Sequence, residues 1–134
     1  MIRKATISDL NALTWLAALL WPNHRFEDLK QEIEALLFNQ NAALFLEFNQ
    51  NLAVGFAQCQ LRHDYVEGTD TSPVGYLEGV FVVESYRKQG VATRLLEFCE
   101  RWACENGCTE FASDCAIANQ DSYASHMKFG FEEV

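Results

Sequence analysis

The sequence contains no run of about 18 apolar residues, the length that a helix needs to cross a membrane. Its first ten residues also lack the apolar stretch of a secretory signal peptide. We therefore expect a cytoplasmic protein that has no membrane partner. Internal repeats, low-complexity tracts and linker-like segments are absent too, so the 134 residues are expected to form one compact domain, 1–134.

Positive charge is scarce in this chain. Lysine and arginine number 10 against 19 aspartates and glutamates, which gives a formal net charge of −9. Nucleic acid is therefore not expected as a partner, because binding to phosphates needs a positive field. The excess of acid suits a cationic small molecule, although negative charge that only keeps a protein in solution explains it equally well.

The five cysteines form no C-x-x-C pair, and their number is odd. A zinc site usually has closer pairs of ligands, so no metal is expected. Buried free thiols in a reducing compartment are the better interpretation. Cys115, which follows Asp114, could act as a nucleophile, but a small packed side chain is the favoured alternative.

Apolar residues are plentiful, at 49% of the chain, and they recur in regular patterns that predict helices and strands. The predicted elements are a first helix capped by Ser8 or Thr6, a helix at 26–38, strands at 42–48 and Leu52–Arg62, a buried strand at 76–83, a helix at 91–105, a strand at 109–114, a helix at 119–129, and a strand that starts at Phe131. This order is typical of an α/β protein, namely a three-layer α/β sandwich on one mixed sheet.

A basic turn lies between the buried strand and the helix that follows it. It consists of Arg87, Lys88, Gln89, Gly90, Val91 and Ala92. A helix start presents unpaired amide groups and the positive end of the helix dipole, and Gly90 lets a ligand approach the backbone. The turn therefore predicts a pyrophosphate site, or else an ordinary strand-to-helix turn with a solvated basic pair. These residues alone do not decide between the two.

The same turn resembles the R/Q-x-x-G-x-G/A motif of the GNAT acetyltransferase superfamily, whose loop binds the pyrophosphate of coenzyme A. The resemblance implies a GNAT-type fold with a splayed central sheet, and acetyl-CoA as the cosubstrate. It also implies that backbone groups of Val80, Phe81 and Val82 hold the pantetheine arm. In that arrangement the Val80 amide would donate to the thioester oxygen.

A second motif runs from Asn119 to Phe131 and is similar to the family's N-x-x-A-x-x-x-Y-x-x-x-G-F. Asn119 and His126 are implied to lie near the cofactor, on one helix face with Ser122 and Tyr123. His126 stands where many members have the tyrosine that protonates the leaving thiolate. Either His126 is that acid, or Tyr123 or water is, and a purely structural histidine is equally open. Asn119 could instead cap the helix, or do both.

A closer resemblance covers nearly the whole chain. Segments 20–22, 62–74, 77–79 and 110–114 are similar to bacterial aminoglycoside 6′-N-acetyltransferases. This implies acetyl transfer to the 6′-amine of an aminoglycoside, with antibiotic resistance as the result. By the same resemblance, Trp21 and Tyr65 line the acceptor pocket, and Glu78 and Asp114 bind the acceptor. A plain core role is the alternative for Trp21.

Glu78 is a lone acid in an apolar strand, and its chemistry fits amine acetylation. The attacking amine must lose a proton, which a carboxylate can accept directly or through water. Burial would favour the neutral form of Glu78 unless a cation pairs with it. We therefore predict Glu78 as the general base of a direct transfer in a ternary complex, without a cysteine intermediate.

The chain stops at Val134, where the resemblance implies a further strand. We expect either an incomplete chain or a sheet edge that another subunit pairs, and the resemblance implies a homodimer. Two other functions stay open at this point. One is acetylation of another amine, such as a polyamine or a protein N-terminus, and the other is non-catalytic binding of coenzyme A.

Overall fold

A six-stranded sheet forms the middle layer of the computed structural model, which describes residues 1–64 and 69–113 and the backbone of residues 126–128. The strands lie side by side in chain order: β1 (Ile2–Lys4), β2 (Ala42–Asn49), β3 (Leu52–Arg62), β4 (Val74–Val82), β5 (Glu110–Ser113) and β6 (His126–Lys128). The helices are α1 (Leu10–Leu20), α2 (Phe26–Leu37) and α3 (Val91–Glu105). Of the described strand pairs, β4 with β5 is parallel and the others are antiparallel, so the sheet is mixed.

Most of the elements predicted from periodicity are confirmed, with bounds that shift by about two residues. The hairpin between β2 and β3 turns at Gln50 and Asn51, whose φ angles of 52° and 71° suit a tight two-residue turn. Thr6 rather than Ser8 is the N-cap of the one-turn 3₁₀ helix, Ile7–Asp9, that leads into α1. β1 was not predicted, because three residues are too few to show a period.

The predicted helix at 119–129 is wrong over its last part. Residues His126–Lys128 form β6, which runs antiparallel to β5 with His126 opposite Ala112. Pairing with β6 satisfies backbone groups that β5 would otherwise leave at an open sheet edge. The helical spacing that linked His126 to Asn119 therefore loses its structural basis. Asn119, Ser122 and Tyr123 lie outside the described residues.

Helices cover both faces of the sheet, which confirms the three-layer prediction. On one face, α3 buries Leu95 and Cys99 against a core that includes Phe111. On the other face, α1 and α2 bury Leu13 and Ile33 in a second core. Each buried side chain of this size stabilises the fold by roughly 1.5–3 kcal/mol relative to exposure.

A β-bulge changes the direction of the side chains halfway along β4. Leu77 pairs with Cys59 and Gly79 pairs with Gln58, so Glu78 is the additional residue inserted between them. Without the bulge, residues an odd number apart would point to opposite faces. Leu77 and Val80 are three residues apart, yet both lie in the core beneath α3, because the bulge shifts the alternation by one residue.

β4 and β5 pair over a short distance. Their described register runs from Gly75 opposite Phe111 to Leu77 opposite Ser113. β4 then continues to Val82, past the last described pair with β5. The expected splay of the central sheet lies beyond the described part of β5 and stays a prediction.

The buried free thiols that the sequence predicts are present at Cys59, Cys99 and Cys108. The prediction is wrong for Cys104, which is exposed because it lies off the apolar stripe of α3. Burial, together with the neighbouring Cys104 and Cys59, raises the pKa of Cys108 to about 11, so this thiol stays protonated at neutral pH. Cys115 lies outside the described residues. None of the described helices is long and apolar enough to span a membrane.

Candidate active site

A cleft of about 240 Å³ opens between the sheet and the helices α1 and α2. Gln58 of β3 and Glu78 of β4 line it on the sheet side, and Trp21 and His24 line it at the end of α1. The opposite wall is one face of α2, and it consists of Leu29, Glu32, Ile33 and Leu36. Four of the eight lining residues are apolar and four are polar or charged, so the cleft offers both packing surface and polar groups to a small molecule.

Trp21 lies against the backbone of β4 at Gly79. A Cβ atom added to Gly79 would stand 2.7 Å from Cζ2 and 2.9 Å from Cη2 of the indole, so any side chain there would displace the ring. The indole also makes edge-on contacts with Phe56 and His24, at centroid distances of 6.2 and 6.5 Å. Trp21 thus packs on the core and lines the cleft next to Glu78.

Glu78 enters the cleft from the bulge, and a cation lies beside it. Arg62 Nη2 is 3.5 Å from Glu78 Oε2, and the guanidinium group stacks on the Tyr76 ring at 4.3 Å. The side chains of Arg62 and Glu78 are 34% and 23% exposed, so solvent screens the pair and its stabilising effect is small. Another cation can therefore compete with Arg62 for this carboxylate. A cation beside Glu78 was one of the alternatives, but its identity as Arg62 was not predicted from the sequence.

A second concavity lies at the start of α3, and the predicted basic turn lines it. Lys88 and Gly90 have left-handed φ angles of 64° and 84°, and Gly90 is the N-cap of the helix. No side-chain hydrogen bond caps this end of α3. Because the first amide groups of a helix lack intrahelical acceptors, the turn can donate hydrogen bonds to an anion.

The basic side chains of this turn have different roles. Arg87 Nε donates to the Val82 carbonyl at 2.7 Å, so it braces the end of β4. Arg94 Nη1 donates to the Gln89 carbonyl at 3.2 Å and shapes the turn from the first part of α3. Lys88 is exposed at the mouth of the concavity. The two arginines therefore support the turn, and Lys88 is the exposed basic side chain that lines the concavity.

The structure brings the predicted site residues together in two groups that β4 connects. Trp21 and Glu78 share the cleft, and residues 87–92 form the basic turn. Val80 and Phe81 follow the bulge, and Val82 reaches the turn. Tyr65, Asp114 and Asn119 lie outside the described residues, and His126 is known here only as part of β6.

Comparison with known proteins identifies the family. The model of the acetyltransferase (GNAT) family matches residues 8–131. The chain belongs to the acetyltransferase (GNAT) family. The resemblance that its motifs carry is thereby confirmed.

Relatives of this acetyltransferase resemble it over most of their length. Aminoglycoside N(6′)-acetyltransferase type 1 of Acinetobacter baumannii is 42% identical over 131 residues, which cover 96% of this chain and 89% of the relative. The protein of the same name from Salmonella typhimurium is 39% identical over 133 residues, covering 99% and 92%. A solved structure of AAC(6′)-Iy with the bisubstrate analogue CoA-S-monomethyl-acetylneamine has a TM-score of 0.84 at 39% identity, covering 89% of this chain and 81% of that one.

The hydrogen bonds that Glu110 accepts were not predicted from the sequence. Its Oε1 accepts hydrogen bonds from the amides of Asp70 and Thr71, both at 2.9 Å, and from Thr71 Oγ1 at 2.6 Å. The side chain is buried on β5, where an acid in a short apolar strand was the only sequence signal. Glu110 therefore ties β5, which leads to Asp114, to the loop that follows Tyr65.

We predict that Glu110→Ala lowers the free energy of unfolding by about 2–4 kcal/mol, because it removes the acceptor of three hydrogen bonds and leaves a cavity. Glu110→Gln keeps an oxygen acceptor and should lose less than about 1.5 kcal/mol. Urea unfolding of both variants measures the difference. Equal losses would show that the hydrogen bonds do not anchor the loop.

Proposed function

We propose that this acetyltransferase transfers an acetyl group from acetyl-CoA to the 6′-amine of aminoglycoside antibiotics. The observation that carries the proposal is the cleft in which Glu78 and Trp21 meet, on the same strand that leads to the basic turn of α3. The curated relatives named above act, by name, on the 6′-nitrogen of aminoglycosides, and they align with nearly all of this chain.

The residues at the start of α3 fit a diphosphate. Gly90 has no side chain to fill the concavity, the first amide groups of α3 have no acceptor within the helix, and Lys88 adds a positive charge. Bound there, acetyl-CoA would supply a thioester that is activated for transfer to an amine. The backbone of Val80, Phe81 and Val82, which follow the bulge on β4, would hold the pantetheine arm, as the family resemblance implies.

Glu78 has two tasks in this proposal. It attracts the acceptor ammonium by competing against Arg62, and it accepts the proton that the amine must lose. The amide of Val80 would donate to the oxygen that gains negative charge during the transfer. Tyr65 and Asp114 are proposed as a second wall and a second acidic ligand, on the resemblance of segments 65–74 and 110–114.

We also infer a cytoplasmic homodimer. Three buried free thiols suit a reducing compartment. The second subunit is inferred from the family resemblance. The surface of α1 agrees with it, because Trp15 and Leu19 lie one helical turn apart and are 65% and 51% exposed.

Neomycin and paromomycin test the proposed reaction, because they differ only in carrying an amine or a hydroxyl group at the 6′ position. With acetyl-CoA and the purified protein, we expect thiol release with neomycin and none above background with paromomycin. Spermidine serves as the other amine. Faster turnover of spermidine than of neomycin, or equal turnover of both aminoglycosides, would contradict the proposal.

Gly90→Asp should weaken coenzyme A binding at least about tenfold, because the new carboxylate both crowds the diphosphate site and repels it. Gly107→Asp is the matched control. Gly107 has a similar φ angle of 91° beyond the other end of α3, with no atom within 4 Å of an added Cβ. Isothermal titration with coenzyme A compares the two variants. An affinity that falls equally in both would assign the effect to backbone strain rather than to the binding site.

A further inference from the structure

The wall of the cleft opposite Glu78 is an amphipathic face of α2. Leu29, Glu32, Ile33 and Leu36 follow the i, i+3, i+4, i+7 spacing of one helix face. Leu29 and Ile33 are each 2% exposed and anchor the helix on the core. Glu32 is exposed, so it is the charged group on this face of α2 in the cleft.

Two carboxylates thus line one cleft from different walls. Glu78 comes from the sheet and Glu32 from α2, while Trp21 lies at the end of the cleft near α1. This arrangement matches a molecule whose rings pack on an indole and whose amines are separated along its length. A molecule with a single positive charge does not match this arrangement, because it would leave one of the two carboxylates without a cation.

The volume of the cleft indicates how much of such a molecule it holds. At about 240 Å³ it is smaller than the roughly 300–1,000 Å³ of pockets that enclose a whole drug-sized ligand. The ring that carries the reacting amine can enter, and the rest of the molecule must extend along the walls. A second ammonium group would then lie at a wall of the cleft.

The two carboxylates differ in their electrostatic surroundings. Glu78 has Arg62 at 3.5 Å, whereas no ion pair in the described part of the chain engages Glu32. Lys30 lies two residues away on α2, about 200° around the helix, and so belongs to the opposite face. A cation that reaches Glu32 therefore does not have to displace a protein side chain.

We propose that Glu32 binds a second ammonium group of the acceptor and so selects substrates with several amines over monoamines. The inference rests on the proposed function and assigns a specificity role to a residue outside the reacting centre. Glu32 does not take part in proton transfer. Its contribution belongs to the binding of the acceptor and disappears when the acceptor has only the reacting amine.

The test compares Glu32→Gln with Glu34→Gln in the intact chain. Both glutamates are exposed on α2 and both substitutions remove one negative charge, but Glu34 points about 200° away from Glu32 and does not line the cleft. The acceptors are kanamycin, which carries amines besides the one at 6′, and a methyl 6-amino-6-deoxyglucoside, which carries one amine. The readouts are kcat and KM for each acceptor and KM for acetyl-CoA.

For Glu32→Gln we expect KM for kanamycin to rise roughly three- to tenfold, the range for a partly screened charged contact, with kcat and KM for acetyl-CoA unchanged. The kcat/KM for the monoamine should stay at the wild-type value. Glu34→Gln should leave all of these constants unchanged, and Glu32→Asp should recover part of the kanamycin affinity.

Two results would overturn the inference and leave the proposed function standing. One is an equal change in KM for kanamycin in Glu32→Gln and Glu34→Gln, which would show only a general effect of net charge. The other is an equal loss for kanamycin and the monoamine, which would show a disturbed reacting centre. Wild-type protein that acetylates neither acceptor would overturn the proposed function itself, and this inference with it.

Discussion

The β-bulge at Glu78 is the constraint on which the whole site depends. It inserts one residue into β4 between the pairs that Leu77 and Gly79 make with β3. A shift of one residue reverses the face on which every later side chain lies. Because of this shift Val80 packs beneath α3, while Glu78 lines the cleft beside α1 and α2. One strand thereby provides an acid on one face and then leads to the turn where α3 begins.

The absence of a side chain at Gly79 completes this arrangement. Trp21 occupies the space where a Cβ at position 79 would stand, so the indole lies directly on the strand next to the carboxylate. Charges of opposite sign lie at two places that β4 connects. Acidic groups, Glu78 and Glu32, line the cleft, and the exposed Lys88 lies at the basic turn beyond Val82. A protein with a net charge of −9 thus has a basic turn at the start of α3 and an acidic cleft beside α1 and α2.

The parts of the structure that repeat along the chain could be predicted from sequence. α2 and α3 have clear apolar stripes, and the β2–β3 hairpin has a polar turn, so local patterns were sufficient. The bulge could not be predicted, because the segment from Tyr76 to Val82 is apolar almost throughout and shows no alternation that an insertion could interrupt. β6 was predicted as part of a helix, because the similarity of residues 119–131 to a family motif suggested one. Its three residues are too few to show the period of a strand.

The contacts that tune the site depend on tertiary pairing and were also missed. Arg62 meets Glu78 because β3 and β4 are neighbours, although 16 residues separate them in the chain. Glu110 meets the amides of Asp70 and Thr71 across about 40 residues. Motifs identified the residue types and the family, whereas the partners of each charged group required the three-dimensional fold.

The most direct test of the account is the rate of acetyl transfer by Glu78→Gln, a variant that keeps the shape of the side chain and removes its ability to accept a proton. The account predicts that kcat/KM for neomycin falls by about 10²–10⁴-fold, the usual contribution of a general base, while the affinity for acetyl-CoA stays within about twofold of wild type. A variant with unchanged turnover would contradict it, because the acid that the bulge brings into the cleft would then have no part in the chemistry.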